Sequence, residues 1–289
     1  MRIWLMAARL RTLPAAVAPV LVGTALSWTE RDLRVLGFVF ALLGALFIQV
    51  GTNLSNDYSD ARRGADTEDR LGPVRVTAGG LVPPRRVLVA TYVSFGLAVL
   101  CGVYLIALAG PELLLIGAAS ILAGVLYTGG PRPYGYEGLG EVFVFLFFGV
   151  VAVTGSYYVQ AERLEWEAFA LAVPVGLLAA AILVVNNVRD LETDRRAGKR
   201  TLAVRLGRER TRAMYAGMLL LTYGSLVPIA LAGDLEWVLL GLLSAPLAVA
   251  LVRTVRSHAD GPTLNAALAR TGLLQLVFCV LTSAGLLLS

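Results

Sequence analysis

Gln49-Val50-Gly51-Thr52-Asn53-Leu54-Ser55-Asn56-Asp57-Tyr58-Ser59-Asp60 is where an apolar run, residues 33–52, passes into amides and carboxylates with no breaker between them. About 20 mainly apolar residues are what one helix needs to cross the hydrocarbon core of a bilayer. If that helix continues, Asn53, Asp57 and Asp60 stand at i, i+4 and i+7, and Asn56 with Asp60 forms a second i, i+4 pair. These groups then share roughly one face. The stretch predicts a membrane helix that delivers a polar stripe at the membrane boundary.

The rest of the chain agrees with a membrane setting. Of 289 residues, 57% are hydrophobic and only 16% charged, with a mean hydropathy of +0.73. That is too little charge for a soluble surface and too much apolar material for disorder. Apolar runs predict nine spans, at about 12–28, 33–52, 87–109, 111–127, 140–160, 166–187, 212–232, 236–252 and 267–288. Pro14 and the want of a small-residue cleavage site make the first a permanent helix rather than a signal peptide. The expectation is an all-α membrane protein, one domain over residues 1–289, with cap loops at about 53–86, 128–140 and 188–211.

Nine spans place 22 of the 25 Lys and Arg on one side, leaving Arg31, Arg34 and Arg163 opposite. By the positive-inside rule the N-terminus and the long loops face the cytoplasm and the C-terminus lies outside. Trp28, Trp166 and Trp237 fall at the far ends of their helices, where interfacial tryptophans belong. The net charge of +5 is thus a membrane signal, and no nucleic acid is expected as a partner. Cys101 and Cys279 lie in apolar runs and the single histidine, His258, in a polar one. No disulfide framework, thiolate zinc site or histidine-based triad follows.

The sixth span ends as Asn186-Asn187-Val188-Arg189-Asp190-Leu191-Glu192-Thr193-Asp194, with Asn186, Asp190 and Asp194 every fourth residue. Two amide and carboxylate stripes, four helices apart, hint at an internal repeat of helices 1–4 and 5–8. Like charges converging near a membrane are unfavourable unless a cation offsets them. Oxygen ligands without His or Cys point to a hard ion, Mg²⁺ above all, which takes one or two carboxylates plus substrate phosphate. Arg62, Arg63, Arg70 and Arg75 follow the first stripe, and Arg195, Arg196, Lys199 and Arg200 the second. Such cations suit phosphate oxygens. Any one of these arginines also has a plainer use in setting topology or meeting lipid headgroups.

These motifs resemble the UbiA-type intramembrane prenyltransferases, nine-helix proteins with aspartate-rich motifs at the cytoplasmic ends of helices 2 and 6 around a central cavity. The first family pattern appears as Asn56-Asp57-Tyr58-Ser59-Asp60-Ala61-Arg62-Arg63-Gly64, where Gly64 replaces the usual third aspartate and Asp66 follows two residues on. The second, Asn187 to Asp194, matches without a gap and is followed by Lys199-Arg200-Thr201-Leu202. The longer string from Asn53 to Arg75, Arg9-Leu10-Arg11-Thr12-Leu13-Pro14, and Leu264-Asn265 to Thr271 look like the branch that prenylates 1,4-dihydroxy-2-naphthoate in menaquinone synthesis. Tyr127-Thr128-Gly129-Gly130-Pro131-Arg132-Pro133-Tyr134, running on to Gly138-Leu139-Gly140-Glu141, is similar to a further family segment.

The resemblance implies that Asp57, Asp60, Asp190 and Asp194 are catalytic and hold Mg²⁺ with help from Asn53 and Asn56. Arg70, Arg75, Arg132, Lys199 and Arg200 would bind the diphosphate of a polyprenyl donor, and Arg11, Tyr127 and Tyr134 would serve the aromatic acceptor. An ordinary Gly/Pro turn with interfacial tyrosines would equally explain residues 127–140. The implied reaction joins the allylic carbon to the ring, with loss of the naphthoate carboxylate. 4-Hydroxybenzoate and homogentisate are alternative acceptors within the family. An ion-coupled transporter would carry charges through the middle of several spans, and these spans are nearly free of charge. A cytidine-diphosphate alcohol phosphotransferase would need an Asp-Gly-x-x-Ala-Arg segment, which is absent.

Overall fold

The computed structural model describes residues 2–28, 33–66 and 71–289. Arg70 lies outside them. Among the described residues the fold is all helical: α1 (Arg2–Ala8), α2 (Pro14–Trp28), α3 (Val35–Arg62), α4 (Pro84–Ala109), α5 (Glu112–Leu126), α6 (Gly140–Ala161), α7 (Trp166–Arg196), α8 (Leu202–Leu206), α9 (Arg208–Ala232), α10 (Glu236–Ser257) and α11 (Gly261–Leu286). Seven of them, α3, α4, α6, α7, α9, α10 and α11, are each long and apolar enough to cross a membrane. The first expected span is the second limb of a bent pair, Arg2–Thr12 and Pro14–Trp28 meeting at 53°. Arg9, with a left-handed φ of 52°, and Pro14 at the start of α2 make that corner. The fourth expected span is the shorter apolar helix α5. Among the described residues, helices therefore stand in all nine expected places.

Length positions the site. A 28-residue α3 and a 31-residue α7 run roughly 42 and 46 Å at 1.5 Å per residue, against a core of about 30 Å. The surplus carries both acidic stripes past the hydrocarbon as helix, not as loop. This corrects the expected cap-loop boundaries: residues 53–62 and 188–196 are helical, and α8 interrupts the second connection. Polar side chains do not stop a helix whose outer turns reach water. Glycine does: Gly64 (φ +64°) and Gly198 (φ +73°) follow the two helix ends in the left-handed conformation that ends helices. Gly64, where the family motif carries aspartate, is thus the terminator of α3.

α7 is the hub. It packs against α2, α6, α9 and α11, and its Leu171, Leu178, Val184 and Val188 are fully buried in the main apolar core. It comes close to α6 at Gly149 and Gly176, where a Cβ on Gly149 would fall 2.5 Å from the Gly176 Cα. Small residues permit such contact between membrane helices. Over Phe145–Val151 α6 widens into a π-helical segment, a local distortion often found beside functional cavities. α3 packs instead on α4, α2 and α5. Pro174 and Pro228 lie inside α7 and α9, while Pro246 falls in the first turn where α10 changes from 3₁₀ to α geometry. Trp28, Trp166 and Trp237 are exposed at helix ends.

Candidate active site

A cavity of about 370 Å³ opens between the polar ends of α3 and α7 and continues down among apolar residues of α2 to α6. Residues from both polar helix ends line it. From α3 come Asn53, Asn56 and Asp60, and from α7 Asn187, Asp190 and Asp194.

Helix termination explains how the stripes meet. After Gly198 the chain turns back so that the Lys199 backbone N–H donates to the Asp194 carbonyl at 2.9 Å, the long bond of a helix-ending turn. The Lys199 ammonium then lies 3.8 Å from the Asp194 Oδ1 and 3.8 Å from the Asp60 Oδ2. One cation thereby joins two carboxylates 134 positions apart in the sequence. Arg75 approaches Asp60 from the other side at 3.6 Å and reaches Asp66 at 3.4 Å.

Tyr136 completes this arrangement. Its hydroxyl donates to the Asp60 Oδ1 at 2.7 Å, and Lys199 sits 4.8 Å over its ring. Burial, then the nearby Asp60 charge, push the Tyr136 hydroxyl well above the usual phenol range, so it stays a donor. Burial likewise raises Tyr127. The 127–136 segment stacks aromatics along one wall. Tyr127 meets Tyr134 edge-on at 5.4 Å and Tyr134 stacks on Phe143 at 4.0 Å, while the Tyr134 hydroxyl donates to the Ala123 carbonyl at 2.9 Å.

Asp57 does not line the cavity. Its two oxygens accept the backbone N–H groups of Val76 and Thr77 at 3.1 and 2.9 Å. At 100° per residue it stands about 60° round the helix from Asp60, which turns it toward the loop after α3. Val76 and Val82 of that loop pack with Ala7, Leu54 and Val87 in a small core. The face of α3 that meets the cavity is therefore Asn53, Asn56 and Asp60, while Asp57, expected as a metal ligand, stands off the cavity and ties the cap loop. Asp190 lines the cavity, and its carboxylate is held by the neighbouring Arg189, Nε to Oδ1 at 2.8 Å. Arg189 also donates to Asn186 at 2.8 Å and to Asn265 at 2.6 Å. Asn265 in turn donates to the Leu71 carbonyl at 2.9 Å, tying α11 to the cap.

Three other expected site residues lie off the cavity. Arg132 and Arg200 are exposed and away from the cavity, because Arg132 tops a Gly/Pro turn and the Arg200 backbone is tied to the Tyr136 carbonyl at 2.8 Å. Arg11 also points out, while Arg9 and Thr12 line the wall. The Thr12 hydroxyl receives the Gln49 and Asn53 amides, each at 3.2 Å. Tyr136, Arg189, Arg9 and Thr12 are thus site residues that the motifs alone did not single out. Arg9 and Thr12 belong to the family-like segment Arg9-Leu10-Arg11-Thr12-Leu13-Pro14. Tyr136 follows the aromatic segment, and Arg189 is a non-acidic position within the second motif.

The donor set is all oxygen and suits a hard cation. Among the described residues no three His, Cys, Asp or Glu side chains come close enough together to hold a metal by themselves.

Comparison with known proteins agrees with the fold. Residues 16–285 match the UbiA prenyltransferase family. The 1,4-dihydroxy-2-naphthoate octaprenyltransferase of Mycobacterium tuberculosis is 45% identical over 98% of this chain and 96% of its own length. The Escherichia coli protein of the same name is 41% identical over 93% and 89%. Among solved structures, a UbiA homolog from Archaeoglobus fulgidus bound to GPP and Mg²⁺ superposes with a TM-score of 0.69 at 17% identity, covering 98% of this chain and 99% of that one.

Proposed function

The chain belongs to the UbiA prenyltransferase family, and from that premise we propose that it transfers a polyprenyl group from a polyprenyl diphosphate to 1,4-dihydroxy-2-naphthoate, releasing diphosphate and the carboxylate as CO₂ and giving the quinol form of a demethylmenaquinone. The observation that supports this most directly is Lys199 held between Asp60 and Asp194 in one cavity. The acceptor is that of relatives similar over nearly their whole length.

Asp60 and Asp194, with the Asn53 carboxamide oxygen and oxygens of the substrate, would hold Mg²⁺, which supplies Lewis-acid stabilisation of the departing diphosphate. Lys199 and Arg75 meet the remaining diphosphate oxygens. Their help grows as the allylic C–O bond breaks and negative charge builds on the leaving group. Tyr136 keeps Asp60 in place and its ring steadies Lys199. Tyr127, Tyr134, Phe143 and the apolar depth of the cavity keep water from the allylic carbon until the ring attacks. The charge asymmetry of the chain supports a site at the cytoplasmic face of the cell membrane, with the N-terminus inside and the C-terminus outside.

Purified protein in detergent with Mg²⁺, a polyprenyl diphosphate and either dihydroxynaphthoate or 4-hydroxybenzoate tests the reading. The expected result is a prenylated naphthoquinol with one CO₂ per turnover, silenced by EDTA and restored by Mg²⁺. Product from the benzoate alone would assign a different acceptor, and turnover in excess EDTA would remove the metal.

A further inference from the structure

Glu141 belongs to no part of the mechanism above, yet it is 3% exposed and stands against the cavity wall. It occupies the first turn of α6, where a negative charge is favoured by the helix N-terminus. Its Oε1 accepts the Asn187 Nδ2 at 2.8 Å. Its Oε2 is buried with no hydrogen-bond partner among the described residues. A buried carboxyl oxygen left unpaired is unfavourable and calls for a reason.

The reason lies in what Glu141 does to Asn187, which is 5% exposed and lines the cavity. A carboxylate oxygen only accepts, so the amide must turn its NH₂ to Glu141. The carbonyl oxygen is then the end offered to the cavity. Asn56 is set the opposite way, its carbonyl accepting the Thr128 hydroxyl at 3.0 Å. An ionised diphosphate has no hydrogen to donate to an amide oxygen. A ring hydroxyl does. Glu141 is also two residues from Phe143, whose ring stacks on Tyr134 and lines the same cavity.

Resting on the proposed prenyl transfer, we infer that Glu141 is a positioning residue for the aromatic acceptor: it holds Asn187 so that the amide oxygen receives a hydrogen bond from the acceptor's hydroxyl. Both act before the bond-forming step and exchange no proton.

The test is binding to the full-length protein in detergent with Mg²⁺, so it does not depend on turnover. Dihydroxynaphthoate and a polyprenyl diphosphate are titrated separately into wild type, Glu141→Leu and Glu141→Gln. A Gln carbonyl can still accept from Asn187. Glu141→Leu is expected to weaken acceptor binding about tenfold and leave the diphosphate within about twofold, while Glu141→Gln restores acceptor affinity. Equal loss in the Gln and Leu variants, unchanged acceptor binding in Leu, or weakening confined to the diphosphate or to Mg²⁺ would overturn the assignment. Should Glu141→Leu not fold, methylating the acceptor hydroxyls asks the same of wild type: binding as tight as that of the free hydroxyls overturns it. Failure of wild type to turn over either substrate counts against the proposed function alone.

Discussion

The ends of α3 and α7 are built alike and used differently. Each stops at a left-handed glycine, and each returns a backbone bond to an aspartate carbonyl, Ala65 to Asp60 at 3.0 Å and Lys199 to Asp194 at 2.9 Å. In α7 the residue that turns back is a lysine, and it carries its charge into the cavity. In α3 it is an alanine, and the cations come from farther along, through Arg75. The acids diverge too. Asp57 holds a loop by its backbone, whereas Asp190 holds an arginine side chain that reaches α11. Similar acidic patterns do not fix similar roles, because α3 borders a loop and α7 is packed on several sides by helices.

Removing the shared feature of the two ends has the largest expected effect. Asp60→Asn and Asp194→Asn should each lower turnover about 10³-fold while the protein still elutes as a folded species in detergent. Wild-type rates in either variant would break the idea that the two stripes make one site. Next comes Lys199→Ala, with a loss of about 10²-fold and partial recovery in Lys199→Arg. Ala65→Lys, the matching change on α3, is expected not to rescue it, since Arg75 and Tyr136 already flank Asp60 there.

A sharper contrast separates Asp57 from Asp60. A neutral amide at Asp57→Asn can keep only one of the two backbone N–H bonds, so the cap is expected to loosen by about 2 kcal/mol. Thermal melting and proteolysis within residues 71–83 would register this, with more turnover left than in Asp60→Asn. Identical losses in both variants, with no change in melting, would return Asp57 to the metal site. The smallest effect is expected of Arg132→Ala and Arg200→Ala. Both are exposed and off the cavity, so rates should stay within about twofold at saturating donor.

The sequence alone was enough for the membrane setting, the nine helical places and the two acidic stripes, since apolar runs and helical spacing are properties of neighbours along the chain. It also held Lys199, though not its reason, which is the backward turn after Gly198. What only the tertiary structure decided was which side of each stripe is used. An i, i+4 spacing leaves two carboxylates about 40° apart and an i, i+3 spacing about 60°, and a cavity or a loop can claim either. Packing of the 71–83 loop on Leu54 took Asp57, the 127–136 turn brought Tyr136 to Asp60, and the corner at Arg9 turned Arg9 and Thr12 in and Arg11 out. Those outcomes depend on contacts between residues far apart in sequence, and local spacing carries no information about them.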